Sequence, residues 1–246
     1  MHFAFTDEQA MIAETAKAFF AANATSERTR AAMAHTGVDD ALWRAFTAEL
    51  GLAGVAIPEA EGGVGLGMIE LAILAEEAGR HVAALPLLAS VGLAIPAILA
   101  GGSAEQKARL LPRLAAGEAI ASFAEAEPGA TLSGALTGTA LHVPHGTRAD
   151  LLVIATDDGV SIVERSAPGL TVTALTSLDQ TRPYARLDFA GVAAERLADP
   201  AAALDAAHRT GALVLAADAL GGAQACLDRT VAYAQERVQF GRAIGS

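Results

Sequence analysis

A long apolar stripe near the C-terminus constrains this chain more than any other feature. Leu213, Ala216, Leu220, Ala223, Leu227, Val231, Ala234 and Val238 recur at three and four residues, the spacing that lines one face of an α-helix. The stripe runs for roughly seven turns at about 3.6 residues per turn. One helix with one apolar face cannot bury that face on itself, so this one requires helical neighbours. No second helical pattern follows it, so the expected neighbours lie upstream or outside these 246 residues.

The first half supplies helical patterns. Thr6 with Gln9 forms a capping box ahead of Ile12, Ala16 and Phe19. A second helix is expected from Asp40 through Leu42, Trp43 and Phe46 to Leu50, with Gly51 ending it. The stretch 54–67 is rich in Gly and Pro and reads as a loop. Gly62, Gly63, Gly65 and Gly67 are no P-loop, because neither a preceding strand nor a following Lys-Ser/Thr accompanies them. Helical spacing returns at Ile69, Ile73, Leu74 and Glu77 and is expected to stop at Gly79. Residues 82–102 carry no charge. Their two prolines and six alanines make a poor membrane span, and a buried core helix opened by Pro86 is expected instead. Ser103 with Gln106 caps one more helix.

Near residue 119 the grammar changes. Short runs of Val, Ile, Leu and Thr are split by Gly, Asp and Pro, and Asp157-Asp158-Gly159 marks a hairpin. Strands are expected near 120–125, 134–143, 150–156, 159–165 and 183–190. The fold class is therefore α+β. It comprises a helical domain over 1–118, a β-barrel-like domain over 119–198, and the first long helix of a helical bundle over 199–246.

A net charge of -11 argues against nucleic acid as a partner. The single cysteine, Cys226, excludes an internal disulfide and points to a reducing, cytoplasmic setting. No metal site is expected, since His35, His81 and His145 lack partners at ligand spacing.

Several local motifs occur in one order: "VAIPEAEGGVGLG" (55–67), "AEEAGR" (75–80), "EQKARLLPRLAAGE" (105–118), "AEP" (126–128) and "YAQERVQFGRAIGS" (233–246). Together they resemble the acyl-CoA dehydrogenase family across nearly the whole chain. The resemblance implies FAD as cofactor, an acyl-CoA substrate from fatty acid or steroid side-chain β-oxidation, and an acceptor of the electron-transfer flavoprotein type. It implies a homo- or hetero-oligomer, a dimer of dimers, with each FAD lying across a subunit boundary. It also implies that the chain stops in or just after the first helix of the C-terminal bundle, as a piece of a longer protein would.

By the same resemblance Arg237 and Phe240, with Gln239 beside them, contact the FAD of a neighbouring subunit. A guanidinium fork suits a pyrophosphate, and an aromatic face suits the ring system. The strand from Phe123 through Glu125 to Glu127 offers its backbone to the flavin's pyrimidine edge. His142 and Pro144 fall where the family has a Trp and a Thr against the isoalloxazine, and Ala126 replaces a Thr. The family's alternative position for the catalytic Glu falls at about Gly211, one turn after His208, which reads as a solvated histidine. No catalytic base is therefore assigned. An ordinary dehydrogenase and a non-catalytic partner subunit that lends Arg237 and Phe240 to a neighbour both fit; a cofactor-free helical scaffold fits less well.

Overall fold

The structure, a computed structural model, describes residues 4–245. Thr6 and Gln9 exchange hydrogen bonds at the start of α1 (Asp7–Asn23) as the capping box predicts. Then come α2 (Ser26–Met33) and α3 (Asp40–Arg44), which continues as a π-turn over Ala45–Glu49 and ends at Gly51 in the left-handed region. α2 was not anticipated, because its polar sequence shows no apolar period. Two 3-10 turns, Leu52–Gly54 and Glu59–Glu61, occupy part of the glycine-rich connector. α4 (Met68–Arg80) runs one residue past Gly79. The uncharged stretch is a buried helix that begins as π-turns over Leu87–Ala94 and becomes α5 (Ile95–Gly101). Ser103 and Gln106 cap α6 (Ala104–Ala115).

The middle of the chain forms two four-stranded sheets. β1 (Ala121–Glu125), β4 (Leu151–Thr156), β5 (Gly159–Glu164) and β8 (Glu195–Arg196) lie in the order β1-β4-β5-β8. β2 (Thr131–Ser133), β3 (Ala135–Pro144), β7 (Tyr184–Val192) and β6 (Leu170–Ala174) lie in the order β2-β3-β7-β6. β1 pairs with β4 in parallel, and the other pairs are antiparallel. All five expected strands are present. β2, β6 and β8 were missed because two are very short and β6 is a largely exposed outer strand of its sheet. Strand alternation divides the first sheet between two cores. Phe123, Leu151, Val153 and Ile162 face the helices, whereas Ala124, Leu152, Ile154 and Val163 face the second sheet.

α7 (Pro200–Glu236) follows, capped by the Asp199 carboxylate on the Ala202 amide. Its buried side corrects the single-face expectation. The buried positions are Ala203, Ala207, Thr210, Gly211, Val214, Ala217 and Gly221, mostly small residues. Of the large members of the stripe, Leu220, Leu227, Val231 and Val238 are exposed and Leu213 is half-buried. Small residues carry little hydropathy, so the face that packs was the quieter one in the sequence. α7 is also the one helix among the described residues long and apolar enough to cross a membrane, yet its small-residue face packs on α4 and α5 of this chain.

Glycines set how closely α7 approaches. A Cβ on Gly221 would lie 1.8 Å from the Glu76 carbonyl oxygen, and one on Gly79 would lie 2.1 Å from that of Asp218. The two backbones therefore touch directly. Gly222, one residue on, has its nearest such neighbour at 3.8 Å.

At the junction of α4, α7 and the second sheet lies His145, 2% exposed and in the left-handed region at φ 52°. Burial, reinforced by the Arg182 charge, lowers its pKa from 6.5 to about 4, against opposing effects of the Thr181 backbone and Asp179.

Two outcomes follow. Gly221→Ala should cost about 1–3 kcal/mol by overpacking, while Gly222→Ala should be neutral or gain up to about 1 kcal/mol of helix propensity; urea unfolding of the pair checks the close crossing. Because the His145 value is depressed on folding, its contribution is complete above pH 6.5 and is lost as pH falls toward about 4. That loss approaches about 3 kcal/mol. His145→Gln should flatten this part of the stability–pH curve.

Candidate functional site

β1 is an outer strand of its sheet, and its amides alternate in direction. Ala126 N–H donates to the Ala155 carbonyl across the β4 side. Ala121 N–H instead donates to Ser90 Oγ, and Glu127 N–H to the Thr139 carbonyl. The amides of Phe123 and Glu125 share the odd-numbered direction, away from β4. The residues expected at a flavin's pyrimidine edge thus turn two backbone donors toward a sheet edge. The Phe123 ring is not at that edge; it is 4% exposed in the helical core. The Glu125 carboxylate reaches across to α7, where His208 Nε2 lies 2.8 Å from Oε1 with both side chains exposed. His208, expected as a solvated residue, therefore has a specific partner.

Gly211 lies on the buried side of α7. A Cβ there would stand 2.4 Å from the Leu93 side chain, so the position has neither an acid nor space for one without movement of Leu93. His142 sits beside a β-bulge between Ala140 and Val143, with φ 54°, and its exposed ring meets Tyr184 edge-on at 6.2 Å. Non-glycine residues seldom adopt that backbone, and such strain concentrates at functional sites. The Pro144 carbonyl accepts a 2.6 Å hydrogen bond from Ser122 Oγ.

The chain end forms a hairpin after the long helix. Arg237 leaves α7 in an extended conformation, and β9 (Val238–Gln239) pairs with β10 (Arg242–Ala243). Phe240 and Gly241, at φ 52° and 81°, make the two-residue turn of this hairpin. Hydrogen bonds from Ile244 to the Arg237 carbonyl and from Gly245 to the Ala234 carbonyl fold it back on the helix. Phe240 therefore stands at a hairpin tip, 102% exposed. Arg237 is exposed and forms no ion pair among the described residues, and Gln239 spends its amide on the Val238 carbonyl. His208 and Arg237 are 29 residues apart along α7, roughly 43 Å at helical rise. The fold gathers Phe123, Glu125, His142 and His208 on the near part of the molecule and keeps Arg237, Gln239 and Phe240 at its far end.

A cleft missed by sequence reasoning lies between these layers. Its walls include Leu85, Leu88, Val214 and Leu215, and its polar side is His145, Arg182 and Asp218; it has a cavity volume of about 30 Å³. Arg182 donates to Asp218 at 2.5 Å and to Asp179 at 3.1 Å. Burial raises the Asp218 carboxyl despite the Arg182 charge beside it. Nothing local announces this group, since its members come from α7, a loop after β3 and a loop before β7.

Comparison with known proteins agrees with this architecture. The family description "Acyl-CoA dehydrogenase, N-terminal domain" matches residues 6–118, and "Acyl-CoA dehydrogenase, C-terminal domain" matches residues 201–246. Acyl-CoA dehydrogenase IpdE2 of Mycobacterium tuberculosis is 36% identical over 241 residues, covering 98% of this chain and 68% of the relative. The ChsE4-ChsE5 complex from the same organism superposes with a TM-score of 0.88 at 30% identity, covering 100% of this chain and 71% of that one. A glutaryl-CoA dehydrogenase from Mycobacterium smegmatis in complex with FADH2 gives a TM-score of 0.85 at 25% identity, covering 98% of this chain and 69% of that one. The chain thus spans about seven-tenths of each of these relatives. Helical domain, paired sheets, long helix and sequence agree, and the chain belongs to the acyl-CoA dehydrogenase family.

Proposed function

We propose that this chain is a subunit of an FAD-dependent acyl-CoA dehydrogenase, an assembly that oxidises the α,β C–C bond of an acyl-CoA thioester to the enoyl-CoA. The carrying observation is the pair Arg237 and Phe240. They stand free at one end of α7, roughly 43 Å along the helix from the β1 edge. No one dinucleotide meets both ends within one chain, so each end serves a different flavin. Bound FAD supplies the hydride acceptor. The Phe123 and Glu125 amides would hold its pyrimidine edge, and Arg237 and Phe240 would hold the pyrophosphate and cover the rings of a neighbour's FAD. Against this fit stand the Pro144 position, which has no N–H to donate, and the burial of the Phe123 ring. The relative bound to FADH2 supports the cofactor. An acceptor of the electron-transfer flavoprotein type, a dimer-of-dimers assembly, a cytoplasmic setting and domains at 1–118, 119–198 and 199–246 complete the reading.

A second reading has its own observation. Gly211 is pressed against Leu93, so the helix carries no base there. That favours a non-catalytic partner subunit that lends Arg237 and Phe240 to another subunit's flavin, as an assembly such as ChsE4-ChsE5 would allow.

Two measurements test these readings. Acyl-CoA turnover with an artificial acceptor should stay at background for these 246 residues alone; clear turnover would assign the base to a residue such as His208. In a co-expressed oligomer with a homologous subunit, Arg237→Ala should weaken FAD binding roughly ten- to hundredfold, the worth of a charged hydrogen bond. Unchanged affinity in an intact oligomer would make Arg237 a solvated helix-end residue.

A further inference from the structure

With the far end of the acyl group lying in the cleft between α4, α7 and the second sheet, as the acyl-CoA reading has it, we propose that the His145 imidazole recognises a neutral oxygen, hydroxyl or carbonyl, carried there. The inference rests on the acyl-CoA reading. Its geometry runs along α7. From Gly211, where the family's alternative base would act, Leu215 is about 6 Å along the axis and Asp218 about 10 Å. A group reacting beside Gly211 and lying along this helix therefore meets Leu215 and Leu88 first and reaches the polar end last.

His145 is the observation that asks for a ligand. It is 2% exposed, and neither ring nitrogen makes a hydrogen bond of good geometry among the described residues; the Thr181 backbone is near enough to favour the protonated ring but does not satisfy it. Buried polar groups are rarely left so, and a bonded ligand atom would remove the deficit. The backbone that carries the ring is fixed: the His145 main-chain N–H donates to the Pro183 carbonyl, and the His145 carbonyl accepts from the Arg148 and Ala149 amides. The cavity of about 30 Å³ accommodates a terminal group of one or two heavy atoms, not a ring system.

Charge decides what that group is. Burial and the Arg182 charge keep the imidazole neutral at ordinary pH, so it offers one donor and one acceptor. Arg182 is already shared between Asp218 and Asp179, two carboxylates to one guanidinium. A carboxylate-ended acyl group would add a third negative charge and is disfavoured. A hydroxyl uses either nitrogen, and a carbonyl uses the N–H.

Calorimetric titration with decanoyl-CoA and its terminally hydroxylated counterpart tests this. The hydroxylated thioester should bind wild type about tenfold more tightly, the worth of one neutral hydrogen bond. His145→Phe should abolish that preference. His145→Asn, which tolerates the left-handed backbone, should retain part of it. Equal binding of the two thioesters to wild type, or a preference that survives in His145→Phe, overturns the assignment and leaves the acyl-CoA reading intact. If neither thioester binds, the acyl-CoA reading fails, and methanol, small enough for the cavity, titrated against the ¹⁵N signals of the wild-type His145 ring judges the cleft alone. A saturable shift sustains the hydroxyl site, and no shift overturns it.

Discussion

The arrangement depends on one contact, the crossing of α4 and α7 at glycines. With Gly79 and Gly221 facing each other's backbones, the helices approach until main chain meets main chain. Such a contact resists sliding, because on either helix the positions one turn away carry a Cβ that the gap cannot hold. The register of a 37-residue helix is thereby set at one point. Everything else on α7 takes its direction from that point: Gly211 toward Leu93, Asp218 toward Arg182, and His208 toward Glu125.

The same constraint explains why the helix is apolar on two sides. One side is made of Ala, Gly, Thr and Val and disappears into the chain. The other carries Leu220, Leu227 and Val231 and stays uncovered. Close approach needs small residues, and hydrophobic association needs large ones. α7 divides these tasks between its sides, and a hydropathy pattern registers chiefly the second.

The sheets position the near part of the site by a different rule. β1 gives alternate side chains to two cores, so it is held firmly although one of its edges has no strand partner. A rigid strand with outward amides is a suitable ledge for a planar polar ligand, because its donors need no reorganisation. The strained backbones at His142 and His145 lie just beyond it, where β3 bulges and ends.

Much of the fold was legible in residues 1–246 alone. Capping boxes at Thr6 and Ser103, the Asp-Asp-Gly hairpin and the change from helical to strand period are local, and local rules read them correctly. The motif around Arg237 was equally legible as a motif. What the sequence could not decide was everything requiring two distant segments at once. The packed side of α7 depends on where Gly79 lies, and the ledge at Phe123 depends on β4 being its single strand neighbour. Phe240 reached a hairpin tip because Ile244 and Gly245 bond back to the helix. His145 became a neutral, unpartnered base only when Arg182, Asp218 and the helices closed around it. Periodicity and capping act within a few residues and so determined the elements; close approach, burial and charge pairing act through space, and only the tertiary structure could decide them.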